Sequence, residues 1–142
     1  MKTFSLSSSG IEPAQLLRGL ESDRVGALVT FEGRVRDHNE GRGVRALTYE
    51  AYAALAEAEG AKIMEEAHAR FDISRALCVH RVGELSLGEL AVWVGVGAAH
   101  RDAAFAACRY VIDEVKARVP IWKREHYVEG DSEWLHPKPV PK

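Results

Sequence analysis

The chain has only two cysteines, Cys78 and Cys108, thirty positions apart and with no His or Cys beside either at metal-ligand spacing. Neither a disulfide framework nor a zinc site is expected. Nor is one needed, because a chain of 142 residues can bury roughly 70% of its unfolded surface in a packed core. No apolar run approaches the length of a membrane span, and Met1-Lys2-Thr3-Phe4 leads into Ser7-Ser8-Ser9-Gly10 without the apolar segment of a secretory leader. A cytoplasmic protein without membrane contact is expected. An excess of charge of one sign is also missing. Lys plus Arg number 19 against 21 for Asp plus Glu, a net charge of -2, which excludes a general binder of the nucleic-acid backbone and makes any anion site local. The chain has no Gly-x-Ser-x-Gly elbow, P-loop, dinucleotide fingerprint or His-Glu-x-x-His helix, and no repeat or low-complexity linker. What remains is 46% hydrophobic, 28% charged and 8% aromatic, the profile of one domain over residues 1–142.

A short strand is expected near Thr3 to Leu6, then a turn, then a helix opened by Glu12-Pro13 and carrying Leu16, Leu17 and Leu20. From Val25 to Val35 apolar and polar residues alternate, the pattern of a half-buried strand, and Gly33 marks a bulge that re-aims the arginines beyond it. Residues 37–43 read as a long loop before a strand from Val44 to Tyr52. Ala53 to Phe71 is helical, with Leu55, Ile63, Ala67 and Phe71 on one face and Gly60 costing about 1 kcal/mol relative to alanine. Strands at Ile73–Val82 and Glu89–Gly97, joined through Gly83 to Gly88, form an antiparallel hairpin. A third helix runs from His100 to Val119, stops before Pro120 and hands over to a strand at Ile121-Trp122. Hairpins mixed with helices in this order give an α+β fold.

The third helix carries the most informative anomaly. Phe105, Cys108, Ile112, Val115 and Val119 form one apolar stripe. At about 100° per residue Lys116 projects within roughly 20° of Phe105, and Arg101 falls near the centre of the stripe. Either both cations snorkel out from the helix ends, or the helix borders a polar pocket, which a further cation at Lys123 would serve. His100-Arg101 at the helix start makes an anion site, where unpaired N–H groups add to the side-chain charge. Arg36, followed by His38 and Asn39, offers another phosphate or carboxylate contact. Lysine is nucleophilic or basic only when neutral, and neighbouring cations favour that form, so this grouping points to an acidic substrate. His80-Arg81 within a strand is expected to pair with a carboxylate. Cys78 and Cys108 read as buried structural thiols.

These residues resemble the catalytic (large) subunit of molybdopterin synthase over nearly the whole chain. The likeness rests on Phe31-Glu32-Gly33-Arg34-Val35-Arg36-Asp37-His38-Asn39 with Gly41, on Leu47-Thr48-Tyr49-Glu50-Ala51-Tyr52, on His80-Arg81-Val82-Gly83, on His100-Arg101 with Ala104-Phe105, and on Lys116 through Pro120-Ile121-Trp122-Lys123-Arg124-Glu125. The resemblance implies an α/β-hammerhead fold and a homodimer that binds two ubiquitin-like sulfur-carrier small subunits in a 2:2 heterotetramer. It implies sulfur transfer from the small subunit's C-terminal thiocarboxylate to cyclic pyranopterin monophosphate, without metal or organic cofactor. Lys116 and Lys123 match the family's catalytic lysines. Arg36, His100 and Arg101 match its substrate contacts, and Phe31 falls at a pocket position. Where the family commonly places an arginine after its C-terminal tryptophan, this chain reads Trp134-Leu135-His136-Pro137-Lys138, so Lys138 or His136 stands in its place. Other readings are a non-catalytic adaptor for a ubiquitin-like tail or a module for a phosphorylated ligand. Both leave the second lysine and its Pro-x-Trp-Lys setting unexplained.

Overall fold

The computed structural model describes residues 2–130 and 132–135. The alternation that begins at Val25 builds a strand whose every second side chain, from Ala27 through Phe31, is half-buried. The described elements are β1 (Phe4–Ser7), α1 (Pro13–Arg18), β2 (Ala27–Arg34), β3 (His38–Asn39), β4 (Arg42–Ala51), α2 (Ala53–Arg70), β5 (Arg75–Arg81), β6 (Gly83–Ser86), β7 (Leu90–Ala98), α3 (Arg101–Arg118), β8 (Ile121–Tyr127) and β9 (Glu133–Leu135). One sheet has the order β1-β5-β7-β2, with β1 parallel to β5 and the other pairs antiparallel. The second runs β3-β4-β8-β9, and β6 also pairs with β4. The fold is α+β, as the order of elements predicts.

The first sheet is covered on both faces. Val92, Val94 and Val96 of β7 meet Ile63, Met64 and Ala67 of α2 and Ala104, Ala107 and Val111 of α3. Trp93, one residue out of phase, points the other way and packs with Leu20 and Leu77 beneath Leu16 and Leu17 of α1. Burial on both faces explains why β7 is apolar along its whole length; each such side chain contributes about 1.5–3 kcal/mol. Cys78 and Cys108 are buried and free, and burial pushes both thiols up, Cys108 to about 11. Among the described residues no helix is long and apolar enough to cross a membrane.

Four local expectations are corrected. Residues 37–43 are no long loop: β3 pairs with Arg42 and Gly43 of β4 around Glu40 and Gly41, whose φ values of 50° and 79° make a two-residue hairpin turn. The segment from Gly83 to Gly88 contains β6, which leaves the β5–β7 hairpin to pair with β4 because Leu85 is buried with Val35, Val44, Leu47 and Tyr127. On α2, Leu55 is exposed and the buried row is Ala56, Gly60, Ile63, Met64 and Ala67. Gly60 is no mere cost, since a Cβ there would overlap the Phe4 ring. On α3, Phe105 is 61% exposed and Arg101 is exposed as well, while Ala104, Ala107 and Val111 face the sheet with Cys108, Ile112 and Val115. The bulge expected at Gly33 is present, as the register against β7 shifts between Gly33 and Arg34.

The C-terminal end of α3 is clamped. Arg118 pairs with Glu59 (2.7 Å) and Glu66 (2.6 Å) of α2 and with Glu114 (3.2 Å) on its own helix. One turn of chain through Val119 and Pro120 then leads into β8, which alternates. Ile121, Glu125 and Tyr127 are buried, and Lys123 lies on their face. These two constraints fix where Lys116 and Lys123 stand.

Candidate active site

A cavity of about 340 Å³ opens where the last turns of α3 meet β8, β4 and the bulged end of β2. Lys116, Lys123, Arg36 and Arg34 line it together with Tyr49, His80, Asn39 and Glu125. The second reading of α3 therefore holds at its C-terminal end, where the helix borders a polar pocket. Partial desolvation, then Lys123 and then Arg36 lower the Lys116 pKa, against a smaller opposing effect of Asp113. Lys116 itself stands at the mouth, exposed to incoming ligands.

Lys123 pairs in register with Tyr49 of β4, and its Nζ lies 3.8 Å from Glu125 Oε2. Glu125 is buried, and its Oε1 accepts from Asn39 Nδ2 (3.0 Å) and from the Tyr127 hydroxyl (3.0 Å). Asn39 in turn accepts from Arg36 Nη2 at 3.1 Å. Arg36, through hydrogen bonds by way of Asn39, and Lys123, through an ion pair, thus meet at Glu125 although the sequence places them far apart. Burial, and then the charge of Glu125, push the Tyr49 phenol up to about 12. Arg34 is paired with Glu32 at 2.8 Å, so Arg36, Lys116 and Lys123 share the one carboxylate of Glu125, and an anion bound there relieves their mutual repulsion.

His80 departs from expectation. Arg81 does pair with a carboxylate, Glu89, at 2.6 Å. His80 instead donates from Nδ1 to the Arg81 carbonyl at 2.8 Å, meets the Tyr49 ring edge-on at 4.9 Å, and turns toward the cavity. Burial, and more weakly the charge of Lys116, bring its pKa down to about 4 against the raising effect of that backbone bond.

Phe31 lies in a neighbouring groove with Val29, Phe105, Cys108 and Ile112, and Lys116 borders both this groove and the cavity. His100 and Arg101 are not brought to it. They stand at the opposite end of α3, about 22 Å from Lys116 by helical rise. His100 is the N-cap residue, yet its side chain makes no capping bond. Lys138 and His136 lie outside the described residues. Asn39, Tyr49, His80 and Glu125 are site residues that sequence reasoning missed. The available signal was in β8, where Lys123 and Glu125 share the period-two face of Ile121 and Tyr127.

The mixed sheet, the second antiparallel sheet and the pocket lined by Lys116, Lys123, Arg34 and Arg36 define an α+β domain with a cluster of cations at one cavity. Residues 6–118 match the family model described as MoaE protein, and the chain belongs to that family. It is similar to the molybdopterin synthase catalytic subunit of Thermoplasma volcanium, 43% identical over 129 residues that cover 91% of this chain and 94% of that protein. The molybdopterin synthase catalytic subunit of Escherichia coli K12 is 47% identical over 115 residues, 81% of this chain and 76% of that protein. The crystal structure of molybdopterin synthase from Staphylococcus aureus superposes with a TM-score of 0.89 at 35% identity, covering 95% of this chain and 98% of that chain.

Proposed function

We propose that this chain is a sulfurtransferase. It takes sulfur from the thiocarboxylated C-terminus of a ubiquitin-like small subunit and delivers it to cyclic pyranopterin monophosphate, forming the molybdopterin dithiolene in molybdenum cofactor biosynthesis in the cytoplasm. The convergence of Lys116, Lys123 and Arg36 on one cavity carries this reading, and the names of the relatives agree with it. The apolar groove past Phe31 ends at Lys116, which suits an extended tail arriving with its charged end foremost. Lys116, nearest that end, has a lowered pKa and acts on the thiocarboxylate. Lys123, held by Glu125, acts at the pterin, and Arg36 grips its phosphate. Two routes fit the lysines: acid/base and electrostatic assistance to attack by the sulfur itself, or transient acylation of a neutral lysine.

The domain, residues 1–142, works as a homodimer within a 2:2 heterotetramer. His100 and Arg101 lie too far from Lys116 to serve the same cavity within one chain, so their part in substrate binding is played in the cavity of the second copy. A substrate contact from Lys138 or His136 is part of the same proposal. The direct test supplies a large excess of thiocarboxylated small subunit and pterin over this protein. Conversion of many equivalents supports the reading. Binding of the tail with no sulfur consumed would identify an adaptor instead.

A further inference from the structure

Among the described residues that line the cavity, one nitrogen carries a free lone pair whatever the charge of the lysines. Arg34 and Arg36 have only donors to offer, and Lys116 and Lys123 are already assigned to the thiocarboxylate and the pterin. Glu125 already accepts two hydrogen bonds on Oε1 and turns Oε2 to Lys123, and both ends of the Asn39 amide are engaged. The Tyr49 phenol keeps its proton across the neutral range. His80 differs from all of these. A carbonyl can only accept, so the bond to Arg81 places the imidazole proton on Nδ1 and leaves the lone pair on Nε2. His80 is buried yet lines the cavity, and no hydrogen bond among the described residues engages its Nε2. The backbone bond and the edge of Tyr49 fix the plane of the ring.

Resting on the sulfur-transfer reading, we propose that His80 Nε2 is the base that activates the water releasing the small subunit from the sulfurated substrate. When the thiocarboxylate sulfur attacks the pterin side chain, a carbon–sulfur bond forms, a carbon–oxygen bond breaks, and the oxygen leaves as water with a proton from the Lys123 ammonium, which solvent later restores. The tail is then joined to the substrate as a thioester. Its release consumes one water. The water oxygen bonds to the acyl carbon as Nε2 takes a proton, the acyl carbon–sulfur bond breaks with its electron pair on sulfur, and His80 returns the proton to that sulfur. The tail departs as a carboxylate, its remaining proton going to solvent.

The test is single turnover with thiocarboxylated small subunit and phosphorylated pterin, followed by intact-mass analysis, for wild type, His80→Asn and His80→Gln. Asparagine keeps the donor to the Arg81 carbonyl; glutamine keeps an acceptor toward the cavity; neither takes up a proton. Both folded variants are expected to consume thiocarboxylate, accumulate the covalent tail–substrate adduct and release product at least about 10²-fold more slowly. The pterin KM should stay close to wild type, and the acid limb of the wild-type pH profile should vanish. Release at the wild-type rate, or loss of activity with no adduct, would overturn the assignment to His80 alone. Absence of sulfur transfer by the wild-type protein would overturn the functional reading beneath it.

Discussion

Asn39 joins the two halves of the site, with its oxygen on Arg36 and its nitrogen on Glu125. Two substitutions separate what Arg36 contributes from what its placement contributes. Arg36→Ala removes a charge-assisted bond worth roughly 1.5–3 kcal/mol, so KM for the pterin is expected to rise about 10- to 100-fold with a smaller fall in kcat. Asn39→Ala leaves the charge and loosens its hold, and a smaller rise in KM is expected. Steady-state kinetics check both, and a wild-type KM in each would place the substrate phosphate elsewhere. At this scale Lys116 was legible as a cation at the spacing of an apolar stripe, and Lys123 as a further cation just beyond Pro120. Asn39, His80 and Glu125 were not, because each owes its role to partners remote in sequence. Glu125 is 86 positions from Asn39, and His80 differs from its neighbour Arg81 only in which way the strand turns it.

Helix α2 shows how packing overrides a local preference. Alanine at Gly60 gains about 1 kcal/mol in helix propensity, but its Cβ would overlap the ring of Phe4, itself buried in the main core. Overpacking of this kind costs about 1–3 kcal/mol, so Gly60→Ala is expected to destabilise the protein on balance. Chemical denaturation measures the sign directly, and a more stable variant would contradict the close approach of α2 to β1. The helices, β2 and the β5–β7 hairpin could be read from the sequence because their patterns run over many residues. β3 is two residues long and β6 four. Both are held by pairing with β4, and nothing within such short segments announces a distant partner.

Across the whole molecule, α3 sets two groups of candidate substrate ligands at opposite ends of one rigid rod. In the proposed homodimer the cavity of one chain draws on His100 and Arg101 of the other. Lys116→Ala and Arg101→Ala, each impaired alone, are therefore expected to complement when dimers are dissociated and reassembled together, giving roughly a quarter of the wild-type rate from random pairing about a two-fold axis. No recovery in dimers shown to have exchanged chains would mean that each site is complete within one chain. The central claim is that sulfur moves at Lys116, and single-turnover transfer by Lys116→Ala, with small-subunit affinity measured alongside, tests it most directly. The account predicts unchanged affinity with transfer slowed by 10²-fold or more. Transfer at more than about a tenth of the wild-type rate, with the partner bound normally, would contradict it.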